Sequence, residues 1–265
     1  PKEKRYGFFP GVSAAWRVSE EEFWKENMNF VEYFKLRGSV SQTGNDALLD
    51  ADGNYDQSVQ YLNTFGFTDS YIFGTTENTR LYPTRTPNPN ITWERGTTYN
   101  LGFDFKFLNS KLTWESDLFY HKRTHMLISR NASLPEISGI TLPRENLGEM
   151  ENKGFETMIG YSDKIGDFEY DLSVNGTYAI NKILFWDETP GIPEYKKSTD
   201  RPVGSALYYV SEGVFNDQAE RDGSPHWSGA VPGEIKFKDI NNDGKINADD
   251  QMRRDKNAEP RFVGG

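Results

Sequence analysis

The 265-residue chain contains no cysteine, which excludes a disulfide framework and a thiolate metal site. It also lacks any surplus of positive charge. Lys and Arg number 30 against 40 Asp and Glu, a net charge of −10, so no basic stripe is present to neutralise nucleic-acid phosphates. No apolar run approaches 18 residues, which excludes a transmembrane helix. A membrane β-barrel stays open, because its strands alternate and carry little mean hydropathy. His121, His125 and His226 read as separate polar side chains rather than ligands. No serine elbow or testable carboxylate pair appears, so no catalytic residue is assigned and the chain is not read as an enzyme.

Aromatic residues are abundant, at 18 Phe, 14 Tyr and 6 Trp, and they fall in a pattern. Over residues 97–107, Tyr99, Leu101, Phe103, Phe105 and Phe107 share one parity, opposite Asn100, Gly102, Asp104 and Lys106. Strand side chains alternate between faces, so this is a ribbon with one apolar wall and one wet wall. After a polar turn at residues 108–111 the alternation resumes. Leu112, Trp114, Ser116, Leu118 and Tyr120 then oppose Thr113, Glu115, Asp117 and His121. The pair reads as an antiparallel hairpin, each strand long enough to cross a bilayer at a tilt, which takes about 9–11 residues.

The same alternation recurs along the chain. Phe8, Pro10, Val12, Ala14 and Trp16 share a parity, as do Phe34, Leu36, Gly38 and Val40. Between them, Ser19 and Glu22 carry a capping signature before a short helix. Phe155, Thr157, Ile159 and Tyr161 run up to a turn at residues 165–167, and Phe168, Tyr170, Leu172 and Val174 run back. Three long stretches separate these hairpins: an irregular one at about residues 44–92, a loop at 124–148 and a third stretch at 184–259. Connections therefore alternate short and long, as in outer-membrane barrels with short periplasmic turns and long surface loops. The expected fold is all-β, a segment of a transmembrane antiparallel barrel. A soluble β-sandwich is the alternative.

The sharpest local chemistry lies at residues 239–250, within a calcium-loop-like segment at 233–260. Asp239, Asn241 and Asp243 stand at the first, third and fifth positions of a 12-residue loop, with Gly244 at the sixth. Lys245 offers its carbonyl at the seventh, Asn247 stands at the ninth and Asp250 at the twelfth. Alternating short oxygen donors suit a hard cation, Ca²⁺ or Mg²⁺. Asp replaces the usual Glu at the last position, giving a shorter closing arm. An Asx-rich turn without metal is the competing reading. Trp186, Tyr195, Tyr208, Tyr209, Phe215 and Trp227 sit among polar loop residues, where they stack on substrate or pack the loop's own core. Sequons at Asn90, Asn131 and Asn175 read as chance matches.

Several blocks together carry a family resemblance. They are the run from Phe8 to Phe23, Phe34-Lys-Leu-Arg-Gly-Ser-Val-Ser-Gln-Thr-Gly-Asn45, and Asn88-Pro-Asn-Ile-Thr-Trp-Glu94. Asn146-Leu-Gly-Glu-Met-Glu-Asn-Lys-Gly-Phe-Glu156 and Gly233-Glu-Ile-Lys-Phe-Lys-Asp-Ile-Asn-Asn-Asp-Gly244 complete the set. In family order, they resemble the SusC-like TonB-dependent transporters of Bacteroidota outer membranes. The resemblance implies a 22-stranded barrel, of which the chain supplies about six strands and the beginning of another. The plug, N-terminal extension and last strands are then expected to be absent from this piece. It further implies outer-membrane import of oligosaccharides or peptides, no organic cofactor, a SusD-like surface lipoprotein as partner, and energy from a TonB-ExbB-ExbD complex. The runner-up is a soluble, calcium-pinned β-domain that binds carbohydrate at the cell surface.

Overall fold

A computed structural model describes residues 4, 6–28, 30–46, 60–130 and 142–265. Its frame is a seven-stranded antiparallel sheet formed by β1 (Gly11–Arg17), β2 (Val31–Asn45), β5 (Glu94–Phe107), β6 (Leu112–Ser129), β7 (Arg144–Ile165), β8 (Phe168–Phe185) and β13 (Phe262–Gly264), in that spatial order. These are the six strands and one beginning that the resemblance implies. The sheet is an up-and-down meander, each long strand pairing with its neighbour in sequence. The short β1–β2, β5–β6 and β7–β8 connections lie at one end and the long ones at the other.

The register lines up the apolar parities across the sheet. Val40, Tyr99 and Tyr120 stand side by side, as do Gly38, Leu101, Leu118, Phe155 and Tyr178. Among the described residues no second sheet covers this wall: Leu118 is 48% exposed, Ile159 47% and Val174 67%. A sandwich would bury this face against a second sheet, so the sandwich alternative is set aside. From Phe107 to Tyr99 the wall runs eight steps, about 27 Å along the strand at about 3.4 Å per residue. With a tilt of about 40–45° this spans roughly 20 Å, close to the apolar band of a membrane barrel.

The opposite face is charged. Arg37 forks between Asp104 (Nη2 to Oδ1, 2.8 Å; Nε to both oxygens, 3.0 Å) and Asp117 (Nη2 to Oδ2, 2.9 Å). It reaches Asp117 across Gly102, where an added Cβ would come within 2.6 Å of both the guanidinium and the Asp117 carboxylate. Glycine is therefore needed there for space. At the β5–β6 turn, Leu108, Asn109 and Ser110 all take positive φ, a rare run for residues with a side chain. Glu32 holds the turn by accepting the Asn109 N–H and the Ser110 hydroxyl (3.2 Å).

Three readings need correction. The stretch at residues 44–92 is not wholly irregular: β3 (Thr64–Phe73) and β4 (Thr76–Arg85) pair as a two-stranded hairpin. Its bulges break the alternation that periodicity relies on. The loop expected at 124–148 is shorter, since β6 continues to Ser129 and β7 begins at Arg144, past a register shift at residues 123–126. Residues 131–141, with the Asn131 sequon, lie outside the described residues, as do residues 47–59. Finally, Ser19 is not a helix cap. A 3₁₀ turn at Val18–Glu20 takes it in, and α1 (Glu22–Asn27) starts after Glu21 with no side-chain cap.

Replacing Arg37 by Met leaves Asp117 without its cation and Asp104 with only Lys35, 4.0 Å away. Their half-buried position places the expected loss between exposed and buried pairs, about 1–3 kcal/mol. Thermal melting in detergent micelles should show a lower midpoint for Arg37→Met. Part of that loss should return in Arg37→Met with Asp104→Asn.

Candidate functional site

The third long connection folds into a cap of its own above β8. Residues 207–253 supply β9 (Leu207–Tyr209) paired with β12 (Gln251–Arg253), and β10 (Ser211–Val214) paired with β11 (Ile235–Phe237). A short helix, α2 (Gln218–Asp222), lies between β10 and β11. Asp217 caps α2 by accepting the Glu220 N–H at 2.8 Å. The cap is tied to the sheet where the Ile183 N–H donates to the Arg201 carbonyl (2.9 Å) and Lys182 pairs with Asp200 (2.6 Å).

The six loop aromatics divide between packing and exposure. Phe215 is 1% exposed and stands beside Trp227, whose ring lies 5.3 Å from Phe237; Tyr209 lies 5.1 Å from Phe237 on another side. Phe215, Trp227, Tyr209 and Phe237 are thus the cap's own core, which takes Phe215 out of reach of any ligand. Tyr195 donates its hydroxyl to the Asp249 carbonyl (2.9 Å), buttressing the 239–250 loop. Tyr208 is 56% exposed. Trp186 lines a cavity of about 320 Å³ with Met126, Met150, Ile183, Val203 and Arg253. Arg253 is braced there by the carbonyls of Lys196 and Ser205.

In the 239–250 loop the acidic and amide groups turn inward on the loop's own backbone. Asp239 accepts the N–H groups of Asp243 (3.3 Å) and Gly244 (2.8 Å). Asn241 accepts from Asp243 N–H (3.0 Å), and Asp243 from Lys245 N–H (2.9 Å). Gly244 has φ +81°, the left-handed conformation that its sharp turn requires. Asn247 and Asp250 form a capping box at the Ala248–Asp250 3₁₀ turn. Asp250 is wholly buried and accepts from Ile240 and Asn247, both at 2.9 Å. Asn241 and Asp243 lie at the exposed end of the loop, and Asp239 is half-buried. Among the described residues, no group of three or more His, Cys, Asp or Glu side chains is disposed to hold a metal ion. Hydrogen bonds from Asn241, then from the Lys245 N–H, hold the Asp243 carboxyl below its ordinary value near 3.8.

Residues that periodicity did not single out hold the mouth of the sheet. Asn146 accepts the Thr92 N–H (2.9 Å) and donates to the carbonyls of Thr92 (2.9 Å) and His125 (2.8 Å). Asn88 donates to the Arg144 carbonyl at 2.7 Å. These amides clamp the stretch before β5 onto the start of β7, joining two of the blocks that carry the resemblance. Glu94 gathers the Leu127 N–H (3.0 Å), Asn45 and Arg123 (both 3.1 Å). His121 and His125 stand four residues apart but do not form a pair. His121 Nδ1 meets the Thr98 hydroxyl at 2.7 Å, while His125 takes φ +58° at the register shift and meets Thr124.

Comparison with known proteins agrees with this architecture. Residues 1–248 match the family model described as TonB dependent receptor-like, beta-barrel. The TonB-dependent receptor SusC of Bacteroides thetaiotaomicron is 28% identical over 272 aligned residues, covering 94% of this chain and 25% of that protein. TonB-dependent receptor P3 of Formosa agariphila is 27% identical over 264, with the same two coverages. The chain thus spans about a quarter of the length of the curated relatives it matches. In fold it is similar to a chain of the RagAB peptide transporter, with TM-score 0.73 at 19% identity, over 100% of this chain and 27% of that one. An apolar wall open to lipid, a charged opposite wall and a family match over nearly the whole length lead to one conclusion: the chain belongs to the TonB-dependent receptor-like β-barrel family.

Proposed function

We propose that the chain forms part of an outer-membrane importer that takes up oligosaccharides or peptides and works with a SusD-like surface lipoprotein. Energy would come from a TonB-ExbB-ExbD complex acting through parts outside this chain. The observation that carries the reading is the exposed apolar wall, continuous across six long strands, backed by a charged face suited to a hydrated lumen. The likeness to SusC and to a peptide transporter supports the transport class. The cap above β8, with Trp186 and Tyr208 still accessible, offers a surface for substrate or lid. No chemistry on the substrate is assigned to it.

Within this reading, the 239–250 loop takes a hard divalent cation, Ca²⁺ or Mg²⁺. Asp239, Asn241, Asp243 and the Lys245 carbonyl are the donors, and the buried Asp250 steadies the loop's closing turn. The cation would pin the cap rather than act in a reaction.

The full-length protein should fractionate with outer membranes, run heat-modifiably on a gel and co-purify a SusD-like lipoprotein. A soluble, monomeric protein would overturn the reading. For the loop, Ca²⁺ should slow trypsin cleavage after Lys245 severalfold. Asp239→Asn with Asp243→Asn removes two charges and leaves one oxygen at 239 where the carboxylate accepts two N–H groups, so the calcium effect should vanish while cleavage without metal rises only slightly. Calcium-independent cleavage of the unmodified protein sinks the cation proposal. Because the folded Asp243 value is depressed, its stabilisation is complete above about pH 3.8 and is lost as pH falls through the lowered value. Acid-protease cleavage of the metal-free loop should therefore stay level down to that pH and rise below it.

A further inference from the structure

Of the three short connections, β1–β2 is the long exception. The β5–β6 and β7–β8 turns are tight, yet residues 18–30 hold a 3₁₀ turn and α1. On a helical wheel Glu22, Lys25 and Glu26 fall on one side of α1, and Phe23, Trp24 and Met28 on the other. A six-residue helix does not hold itself together. What holds this one is the lipid-facing wall. The Trp24 ring lies 5.0 Å from Phe34, which stacks on Phe105 at 4.5 Å, and Phe105 stacks on Trp114 at 5.3 Å. Phe34, Phe105 and Trp114 are register partners on the apolar parity. Phe23 lies 6.4 Å from Trp16, which belongs to the same wall.

The segment therefore folds back onto the outside of the sheet rather than under its lumen. The two indole N–H groups are satisfied internally, Trp16 donating to Glu21 (2.9 Å) and Trp24 to the Val31 carbonyl (3.2 Å). Phe23 stays 53% and Phe30 70% exposed. Aromatic rings with satisfied polar tips beside an apolar wall suit the boundary between acyl chains and headgroups.

We propose that α1 and its flanks are a membrane-interface foot, seated in the headgroup layer of the leaflet at the short-turn end of the barrel. The lipid it fits is set by charge. Glu20, Glu21, Glu22 and Glu26 outnumber Arg17 and Lys25, and Glu20 already pairs with both cations (3.0 and 3.1 Å). An acidic rim repels anionic headgroups and accepts hydrogen bonds from ammonium donors, so phosphatidylethanolamine is the matching partner. The proposal rests on the membrane-barrel reading given under the proposed function.

The test uses the full-length protein in nanodiscs of phosphatidylethanolamine and phosphatidylcholine. Nitroxide labels go on Phe23→Cys, Phe30→Cys, Glu26→Cys and Leu118→Cys in an otherwise cysteine-free background. Relative to a water-soluble nickel chelate, oxygen should reach labels at 23, 30 and 118 severalfold better than the label at 26. Nickel-favoured collisions at 23 and 30, with 118 still oxygen-favoured, overturn the foot and leave the barrel reading intact. Nickel-favoured collisions at 118 overturn both. Labels at 23 and 30 that neither reagent reaches mean a protein covers the segment, which also overturns the proposal. Labelling needs no substitution when a phosphatidylethanolamine carrying a headgroup photocrosslinker is used on the unmodified protein. The adduct should map to residues 18–30, and its absence there counts against the foot.

Discussion

In lipid, a backbone N–H or carbonyl has no water to turn to, so each strand crossing the bilayer must bond its neighbours on both sides. That requirement shapes this chain. It makes the ladders β2–β5–β6–β7–β8 continuous, and it makes long strands cheap only where each already has a partner. Because the ladder occupies the plane of the sheet, the two faces are left to side chains alone. One can then be apolar throughout and the other charged. The Arg37 fork and the Leu118 wall are two sides of the same constraint.

The charged face depends on details that alternation does not contain. Arg37 spans to Asp117 only because Gly102 leaves the space between them empty. At the mouth, Asn88 and Asn146 join the stretch before β5 to the start of β7, 54 to 56 residues away in sequence, and Glu94 ties β5 to β6. Such amides and carboxylates satisfy loop carbonyls and N–H groups that have no ladder partner. They explain why a long excursion returns to one defined strand.

The cap above β8 shows the same economy at smaller scale. It has too few residues for a large core, so Phe215, Trp227, Tyr209 and Phe237 pack against one another and Ile246 joins the buried set. The 239–250 loop closes through its own Asx hydrogen bonds, with Asp250 buried beneath it. A loop ordered in this way can present Trp186 and Tyr208 in fixed positions while most of its polar groups stay satisfied.

Much of this was legible in the sequence. The period-two runs at residues 97–121 and 155–180 determined which side chains share a face, because strand geometry allows only that alternation. With the runs before and after them, they also set the order of short and long connections. The spacing of Asp239, Asn241, Asp243 and Gly244 determined a turn with inward-facing oxygens. What the alternation could not supply was any contact between residues far apart in the chain. The β3–β4 hairpin was missed because its bulges break the period. The burial of Phe215, the Arg37–Gly102–Asp117 contact and the packing of Trp24 on the outer wall all depend on register between separate strands. Local sequence says which face a side chain takes, and only the tertiary structure decides what stands beside it there.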